Sequence, residues 1–349
     1  MHYEQKYMKN NRLSIIIPVY NASQYIIRCL DSIYAIGLRE LDFEIIVIDD
    51  CSTDDTFDIL QDYAFKHANM RVCQQPENRR QGAARNRGID LATGEYITFC
   101  DADDYMLAEG VMNALHAVEK SHADVCYFEM EYQNGKDEDW HLVEMPKATH
   151  NTIMSSKDYL ENYYSCYYNG PVRCLYRNQF LKDINIRFVE GVRWEDCDWT
   201  VKVYAEAKEI QFVDGVGYRY AWNGTATSKQ ADVQAMVEQI KAGVRLTIFA
   251  KEIEHLLPGL SNTLLEEAKY RYVIQNIRLR NVTKYNVTDM VSLYKNVKKE
   301  EWRVLKSHSL LRWETMVIKH HLLTLLILSI TCPLAAIGRK MVTLKRKLI

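Results

Sequence analysis

The feature that most constrains the fold of this chain is a regular alternation of apolar, β-branched segments with amphipathic helical segments over its first 130 residues. Residues 13–19 read Leu-Ser-Ile-Ile-Ile-Pro-Val, which predicts a strand, and a helical pattern with apolar positions 25, 26, 29, 30 and 33 follows. The same succession predicts strands at 43–48, 71–74, 95–100 and 123–128, and helices near 54–65, 81–91 and 108–120. It therefore predicts an α/β fold, with a mostly parallel sheet covered by helices on both faces. In such sheets ligands bind beyond the carboxyl ends of the strands.

Composition and charge exclude several classes of protein. The 44 basic and 46 acidic side chains leave a net charge of −2, which argues against a nucleic-acid-binding surface. Nine cysteines are an odd number and include no Cys-x-x-Cys pair, which predicts reduced thiols in a cytosolic compartment. The first twelve residues are polar and lack the apolar stretch of a secretion signal, so export is not expected.

The last 49 residues differ from the rest, since they carry nine basic and two acidic side chains. Residues 322–337 form an uncharged, largely apolar run interrupted by Pro333, and a basic cluster follows at 339–347. The run is short for a membrane-spanning helix, but an apolar segment beside basic residues is typical of peripheral attachment to anionic lipid. We therefore expect a cytoplasmic protein attached through this tail to the inner face of the cell membrane. A terminal core helix is the alternative.

Polar residues follow the first two predicted strands. The first ends in Pro-Val-Tyr-Asn at 18–21, where Asn21 can cap the next helix. The second runs into Asp49 and Asp50, whose carboxylates can accept hydrogen bonds from a base edge or a ribose. The alternative function of this loop is that the polar residues 52–54 cap the following helix.

The fourth predicted strand runs into an acidic turn with the sequence Asp-Ala-Asp-Asp at 101–104. Crowded carboxylates repel one another, and a hard divalent cation with oxygen ligands relieves that repulsion. The turn therefore predicts an Mg²⁺ or Mn²⁺ site, with a solvated acidic turn as the alternative. Four arginines between 79 and 87, at the start of a predicted helix, could bind nucleotide phosphates or form a solvated face.

Four sequence blocks together resemble the ordered signature of family 2 glycosyltransferases. They are Ser-Ile-Ile-Ile-Pro-Val-Tyr-Asn at 14–21, Val-Ile-Asp-Asp-Cys-Ser-Thr-Asp-Asp-Thr at 47–56, Gly-Ala-Ala-Arg-Asn-Arg-Gly-Ile at 82–89 and Phe-Cys-Asp-Ala-Asp-Asp at 99–104. Each block alone is weak, but four in order over about 100 residues are specific. The resemblance implies a GT-A fold and an inverting transfer from a nucleotide-diphosphate sugar, with a UDP-sugar as the first expectation.

The resemblance also implies roles for individual residues. The residues matched to nucleoside binding are Pro18, Tyr20, Asn21, Asp49 and Asp50. Arg85 matches an arginine near the base and phosphates, and Asp101, Ala102 and Asp103 match the block that meets ribose and metal, with Asp101 and Asp103 as the metal ligands. Cys51 departs from the pattern, because relatives commonly have Gly there, which tolerates a wider range of backbone angles.

An inverting displacement needs a base that takes the proton from the acceptor hydroxyl. Glu195 and Asp196, just before an amphipathic helical pattern, resemble the family's catalytic pair, in which the second acid is usually the base. We therefore expect Asp196 to be the base, with Glu195 as the second choice. Asp198 is expected to be a first-turn charge that favours the helix dipole.

Three further features leave alternatives open. Residues 218–227 resemble the family's Tyr-rich segment that closes over the diphosphate, but Trp222, Asn223 and Thr225 depart from it, so their contact with phosphate or metal is open. Arg173 could face donor or acceptor, or lie on the surface. Four tyrosines could form an acceptor platform or a packed hairpin; they lie at positions 163, 164, 167 and 168.

The sequence therefore predicts a GT-A catalytic domain over residues 1–225, with a nucleotide-sugar half at about 1–130 and an acceptor half at about 131–225. A helical region at 226–310 and the apolar and basic tail at 311–349 follow. The expected partners are a nucleotide-sugar donor and a glycan or lipid-linked acceptor, in the synthesis of a surface polysaccharide; the oligomeric state stays open. A non-catalytic sugar-nucleotide-binding or scaffold subunit is the main alternative. A sugar nucleotidyltransferase would need a Gly-rich triphosphate loop, which residues 18–21 do not form. A dehydrogenase would need a Gly-x-Gly-x-x-Gly motif after a strand, and the sequence has none.

Overall fold

The computed structural model describes residues 12–135, 139–143, 145–164, 170–224 and 233–268. The chain divides into two compact units, one formed by 1–230 with 252–263 and the other by 231–251 with 264–349. Most of the predicted helical region 226–310 and all of the predicted tail 311–349 lie outside the described residues.

A sheet of ten strands forms the centre of the first unit. Its main path runs β3-β2-β1-β4-β9-β6-β10-β5, with β7 paired to β6 and β8 to β10. The strands are β1 (Leu13–Val19), β2 (Phe43–Asp49), β3 (Met70–Gln74), β4 (Tyr96–Phe99), β5 (Tyr105–Met106), β6 (Val125–Gln133), β7 (Trp140–Val143), β8 (Ile153–Ser155), β9 (Cys174–Arg177) and β10 (Glu209–Tyr220). The first four strands pair in parallel, and β9 joins them antiparallel between β4 and β6.

Helices connect the strands as the alternation predicts. They are α1 (Ile26–Tyr34), α2 (Thr56–Ala64), α3 (Arg80–Leu91), α4 (Ala108–Ser121), α5 (Ser156–Asn162), α6 (Asn178–Ile184), α7 (Asp196–Glu206) and α8 (Val233–Glu252). The α/β prediction is thereby confirmed. The two-residue strand β5 was not predicted, because it lies in a polar connection and pairs only with the distant β10.

The parallel strands are apolar because both of their faces are covered. Every residue of β1 and β2 is buried, as expected for a sheet between two helical layers. Helix α1 buries one face, at Ile26 and Cys29 among others, and α3 approaches β1 closely. A methyl group on Gly88 would lie 2.3 Å from Cγ2 of Ile16, so the absence of a side chain allows this close packing.

An aromatic cluster anchors α7 to the sheet. Trp199 is 1% exposed and stacks on Phe188 with ring centroids 4.1 Å apart. Phe99 of β4 meets both rings edge-on. Aromatic pairs of this kind add to the hydrophobic stabilisation, so the first turn of α7 is held beside the end of β4.

In the second unit, α8 lies within the predicted helical region 226–310, and residues 264–268 are also helical. Here too a glycine permits close packing, since a methyl group on Gly243 would lie 3.2 Å from the carbonyl oxygen of Ala268. Within the described parts of the chain, no helix combines the length and apolarity needed to cross a bilayer.

Candidate active site at the ends of the parallel strands

The end of β1 forms one wall of the candidate site. Pro18 is buried in the strand, whereas Tyr20, just beyond it, is 48% exposed. We predicted that Asn21 can cap the next helix, but it does not cap α1. Its side chain instead accepts a hydrogen bond from the backbone N–H of Thr53 (2.8 Å), and its N–H donates to Oγ of Ser52 (3.0 Å). The loop after β2 is a neighbour in space and competes successfully for the Asn21 side chain, so α1 begins without a side-chain cap.

The two acids after β2 have different surroundings. Asp49 is fully buried, and its carboxylate accepts hydrogen bonds from the hydroxyl and the N–H of Ser52 and from Nε2 of Gln74. These bonds shape the turn that follows the strand. The carboxylate of Asp49 is therefore engaged in holding the loop, which the sequence could not distinguish from ligand binding.

Asp50 is also buried but keeps one oxygen available. Its Oδ1 accepts from Nε2 of Gln75 (2.6 Å) and from the N–H of Arg79 (2.8 Å). Its Oδ2 has no hydrogen-bond partner among the described residues. Burial raises the pKa of the Asp50 carboxyl, and the bonds from Arg79 and Gln75 oppose that shift. A buried acceptor of this kind would be satisfied by a donor group on a ligand.

The acidic turn at 101–104 divides its carboxylates between the site and the interior. Asp101 is partly exposed and its Oδ1 accepts from Nη2 of Arg85 (2.7 Å). Asp103 accepts at Oδ2 from Nδ2 of Asn223 (2.7 Å), and its carbonyl oxygen accepts from Nη2 of Arg28 (2.6 Å). Between them, Ala102 is 8% exposed.

The third acid of the turn, Asp104, is 1% exposed and points into the protein. It accepts hydrogen bonds from the hydroxyl of Tyr218 (2.6 Å) and the N–H of Ala221 (2.8 Å). The Tyr218 hydroxyl also accepts from the N–H of Asp101 (3.2 Å). The first part of the Tyr-rich segment is therefore the end of β10, and its hydrogen bonds hold the acidic turn in place. Residues 225–227 of that segment lie outside the described residues.

The carboxylate oxygens of Asp101 and Asp103 are suitable ligands for a hard divalent cation. Burial raises the pKa of the Asp103 carboxyl; repulsion by Asp101 adds to the shift, and the hydrogen bond from Asn223 opposes it. A cation between two mutually repelling carboxylates removes this cost, and oxygen ligands are those that Mg²⁺ and Mn²⁺ prefer. The residues present therefore suit the metal that the sequence predicts.

Helix α7 begins at the same edge of the sheet. Glu195 is its N-cap residue, 4% exposed, and it accepts a hydrogen bond from Nη1 of Arg85. Burial raises the pKa of the Glu195 carboxyl to about 7, although the Arg85 guanidinium opposes this shift. Asp196 is the first helical residue and is more exposed than Glu195. Oδ2 of Asp196 lies 3.9 Å from where a methyl group on Gly170 would stand. Asp198 pairs with Nζ of Lys202 at 2.8 Å.

The four arginines of the third block are not one phosphate-binding cluster. Arg79 pairs with Glu190, Arg85 is buried between two carboxylates, and Arg87 donates to the carbonyl oxygen of Gln74 (2.9 Å). These three arginines thus have separate protein partners. The arginine side chains do not converge on one point, because successive helical residues face different directions.

Four of the seven described residues that have a side chain and a positive φ lie near the candidate site, Asn21 among them. Cys51, Arg80 and Trp194 all have positive φ, of 62°, 66° and 62°. Residues with a side chain rarely adopt this conformation, and when they do it is often at functional sites. Cys51 therefore occupies a left-handed position where relatives commonly have Gly, as the departure from the family pattern suggested.

Of the remaining sequence candidates, Arg173 and Tyr164 lie in the interior, whereas Tyr163 is partly exposed. Arg173 is 2% exposed and lies over the ring of Tyr127 at 4.3 Å, which excludes a surface position. Tyr164 is buried edge-on against Tyr159 and Tyr204, and this agrees with packing. Positions 167 and 168 lie outside the described residues.

Sequence analysis did not identify Gln75, Arg28 and Asn223 as site residues. Gln75 holds Asp50, while Arg28 and Asn223 hold Asp103. The only signal in the sequence was the departure of Asn223 from the family pattern. Arg28 and Gln75 carry no local mark, since their contacts are made across the fold.

Comparison with known proteins supports this description. Residues 14–185 match the family model described as Glycosyl transferase family 2. The chain is 32% identical over 212 residues to the poly(ribitol-phosphate) β-N-acetylglucosaminyltransferase TarS of Staphylococcus aureus, an alignment that covers 60% of this chain and 35% of TarS. The chain thus spans about a third of the length of this curated relative.

Solved structures of two glycosyltransferases resemble this fold. The crystal structure of S. aureus TarS 1–349 in complex with UDP-GlcNAc has a TM-score of 0.61 at 24% identity, and the match covers 84% of this chain and 83% of that one. The mannosyltransferase PcManGT from Pyrobaculum calidifontis, in complex with GDP-Man and Mn²⁺, has a TM-score of 0.51 at 15% identity, covering 86% and 84%. At these identities the likeness concerns the fold, and it confirms the predicted GT-A fold.

Proposed function

Because this chain belongs to glycosyltransferase family 2, we propose that it moves a hexosyl or N-acetylhexosaminyl group from a UDP-sugar to a hydroxyl of a glycan or lipid-linked acceptor. The configuration at the anomeric carbon inverts in this reaction. TarS, named for transfer of N-acetylglucosamine to poly(ribitol-phosphate), makes a surface-polysaccharide acceptor the first expectation.

One observation carries the proposal. The guanidinium of Arg85 contacts Asp101, on the acidic turn, and Glu195, the neighbour of Asp196. The acidic turn and the start of α7, which are distant in the sequence, are thereby joined at the carboxyl edge of the sheet. A donor held at the acidic turn would therefore lie within reach of an acid on α7, which is the arrangement that a displacement reaction needs.

The mechanism follows from the chemistry of these side chains. Asp50 offers a buried oxygen to a donor N–H or O–H of the nucleoside, and Tyr20, which follows the paired strand β1, presents an exposed ring. Asp196 takes the proton from the acceptor hydroxyl as that oxygen attacks the anomeric carbon from the face opposite the diphosphate. The bond from the anomeric carbon to the diphosphate breaks as the new glycosidic bond forms.

Asp101 and Asp103 would hold the divalent cation. When bound, the cation supplies charge neutralisation for the departing diphosphate. Asn223 and Arg28 keep Asp103 oriented for this task through bonds to its side chain and its carbonyl oxygen. PcManGT, a protein of the same fold, is described with Mn²⁺, which supports Mn²⁺ as the first ion to test.

The assay is UDP release from a panel of UDP-sugars, starting with UDP-N-acetylglucosamine, in the presence of Mn²⁺ and of poly(ribitol-phosphate) or other glycan acceptors. Asp196→Asn should lower kcat by about 10²- to 10⁴-fold, the usual contribution of a positioned base. UDP binding, measured by calorimetry, should stay unchanged in that variant. Asp103→Asn should instead weaken the Mn²⁺-dependent part of UDP binding.

The matched control is Asp183→Asn, which should behave as wild type. Asp183 is an exposed acid on α6, and among the described residues its hydrogen-bond partner is Gln179 of the same helix. Wild-type turnover in Asp196→Asn would remove the assigned base. Binding of UDP without turnover of any donor would favour a non-catalytic sugar-nucleotide-binding subunit.

We also propose a cytoplasmic location with peripheral attachment to the inner face of the cell membrane. The support is the basic cluster and the apolar run of the last 49 residues. Two weak signals, apolar insertion and attraction to anionic lipid, combine into stable attachment.

A further inference from the structure

Arg85 has an unusual position for a residue whose family resemblance implies contact with the nucleotide. Its side chain is 3% exposed. One terminal nitrogen donates to Oε1 of Glu195 and the other to Oδ1 of Asp101 at 2.7 Å. Both terminal nitrogens of the guanidinium are therefore engaged by protein carboxylates, one on each side of the candidate site.

The helix that carries Arg85 also holds the chain leading to α7. Asn86 of α3 exchanges two hydrogen bonds with the backbone of Phe188, at 3.0 and 2.9 Å. A methyl group on Gly82 would lie 2.4 Å from the carbonyl oxygen of Val189 and 3.2 Å from Cγ of Glu195. The Arg85 guanidinium itself lies 5.5 Å from the centre of the Phe188 ring. Residues 188–195 are thus fastened to one face of α3.

Charge explains why this contact is specific. The acids that face Arg85 are Asp101 from the acidic turn and Glu195 and Asp196 from α7, and all three raise the pKa of its guanidinium, against the effect of burial. The nearby Glu190 is paired with the exposed Arg79. A planar guanidinium with several fixed donors can contact two separate carboxylates at once, and a lysine ammonium does so less well.

Glu195 is held by this contact and is poorly placed to act as a base. Its side chain is 5% exposed, so an acceptor hydroxyl cannot reach it without displacing protein. Asp196 follows directly in the chain, and its position is fixed by where Glu195 is anchored.

We propose that Arg85 is a positioning residue, which ties Glu195 to Asp101 and so sets the distance and direction from Asp196 to a donor bound at the acidic turn. This inference rests on the proposed function and changes the role that the resemblance implies, since Arg85 acts on the protein's own acids and not on the nucleotide. Glu195 then holds the base Asp196 in position and is not itself an alternative base.

The test compares Arg85→Lys, Arg85→Gln and Glu195→Gln with Arg87→Lys. The last is a matched control on the same helix, because Arg87 donates to the carbonyl oxygen of Gln74 and to no carboxylate of the described residues. For each variant we would measure kcat by UDP release, the Kd for UDP with Mn²⁺ by calorimetry, and backbone hydrogen exchange over residues 189–200. The Glu195→Gln variant is close in shape to wild type, so it guards against a failure of the Arg85 variants to fold.

We expect Arg85→Lys to lower kcat by about 10- to 100-fold, because a displacement of about 1 Å at a catalytic group has that effect. The Kd for UDP should change by less than about threefold, which is less than one direct charged contact to a phosphate contributes. Arg85→Gln should lose more activity than Arg85→Lys, since the lysine keeps the positive charge. Both should exchange faster over 189–200, while Arg87→Lys should match wild type in all three measurements.

Glu195→Gln should also lose kcat with little change in Kd, because the neutral amide no longer pairs with the Arg85 guanidinium and Asp196 loses its anchor. Its kcat should nevertheless stay above that of Asp196→Asn, which lacks the base itself. Loss of UDP binding in Arg85→Lys, in proportion to kcat, would show instead that Arg85 binds the nucleotide. A Glu195→Gln variant as inactive as Asp196→Asn would make Glu195 a candidate base again, and unchanged exchange and kcat in Arg85→Lys would remove the positioning role. If wild type turns over no donor, the proposed function fails, and the exchange measurement still decides whether Arg85 anchors α7.

Discussion

The hydroxyl of Tyr218 makes a sharply testable contribution to stability. It donates to the carboxylate of the buried Asp104 (2.6 Å) and accepts from the N–H of Asp101 (3.2 Å), and the ring is fully buried. Tyr218→Phe removes both bonds without changing the packing. A hydrogen bond to a charged group contributes about 1.5–3 kcal/mol and an unsatisfied backbone N–H costs about 1 kcal/mol or more, so we expect a loss of about 2–4 kcal/mol in the free energy of unfolding.

The size of the loss should depend on the charge of its partner. Burial and repulsion by Asp103 and Asp101 raise the pKa of the Asp104 carboxyl, and the hydrogen bond from Tyr218 opposes that shift, so the measurements are made at alkaline pH to keep the carboxyl ionised. In an Asp104→Asn background the Tyr218 hydroxyl serves a neutral amide, so Tyr218→Phe should cost only about 1 kcal/mol. The double-mutant cycle should therefore give a coupling free energy of about 1–2 kcal/mol between the two side chains. Urea denaturation of the four proteins, followed by tryptophan fluorescence, measures it.

Tyr34→Phe is the control, because the Tyr34 hydroxyl makes one bond, to the neutral Oδ1 of Asn69 at 2.9 Å. It should cost about 1 kcal/mol and be additive with Asp104→Asn, since the sites share no partner. A Tyr218→Phe cost no larger than that of Tyr34→Phe, or a coupling free energy near zero, would contradict the assignment of Tyr218 as the support of the acidic turn.

Two further predictions concern the backbone and the tail. Cys51→Gly should raise the free energy of unfolding by about 0.5–1 kcal/mol, because relief of about 1–2 kcal/mol of left-handed strain exceeds the added chain entropy; Cys51→Ala, which keeps the strain, should be near neutral, and a destabilised Cys51→Gly would contradict this. Deletion of residues 310–349 should move the protein from the membrane pellet to the soluble fraction and abolish sedimentation with anionic vesicles, and unchanged partitioning would exclude the tail as the anchor.

Much of the fold was readable from the sequence because its signals are local. The β-branched run at 13–19 and the amphipathic spacing after it correspond to β1 and α1 with almost the predicted bounds. The ordered blocks likewise pointed to the GT-A fold. By contrast, β5 and the antiparallel β9 depend on partners far away in the chain, so no local pattern marks them.

The sequence by itself determined which residue types stand at the ends of the strands, because strand and helix periods and the order of the motifs are written along the chain. The sequence could not decide which acid of each pair is held by hydrogen bonds within the protein and which is available to a ligand. Asp49 holds a loop while Asp50 keeps an oxygen available, and Glu195 is anchored while Asp196 is more exposed. The tertiary structure made these distinctions, since the hydrogen-bond donors that engage a carboxylate come from elements brought together only by folding.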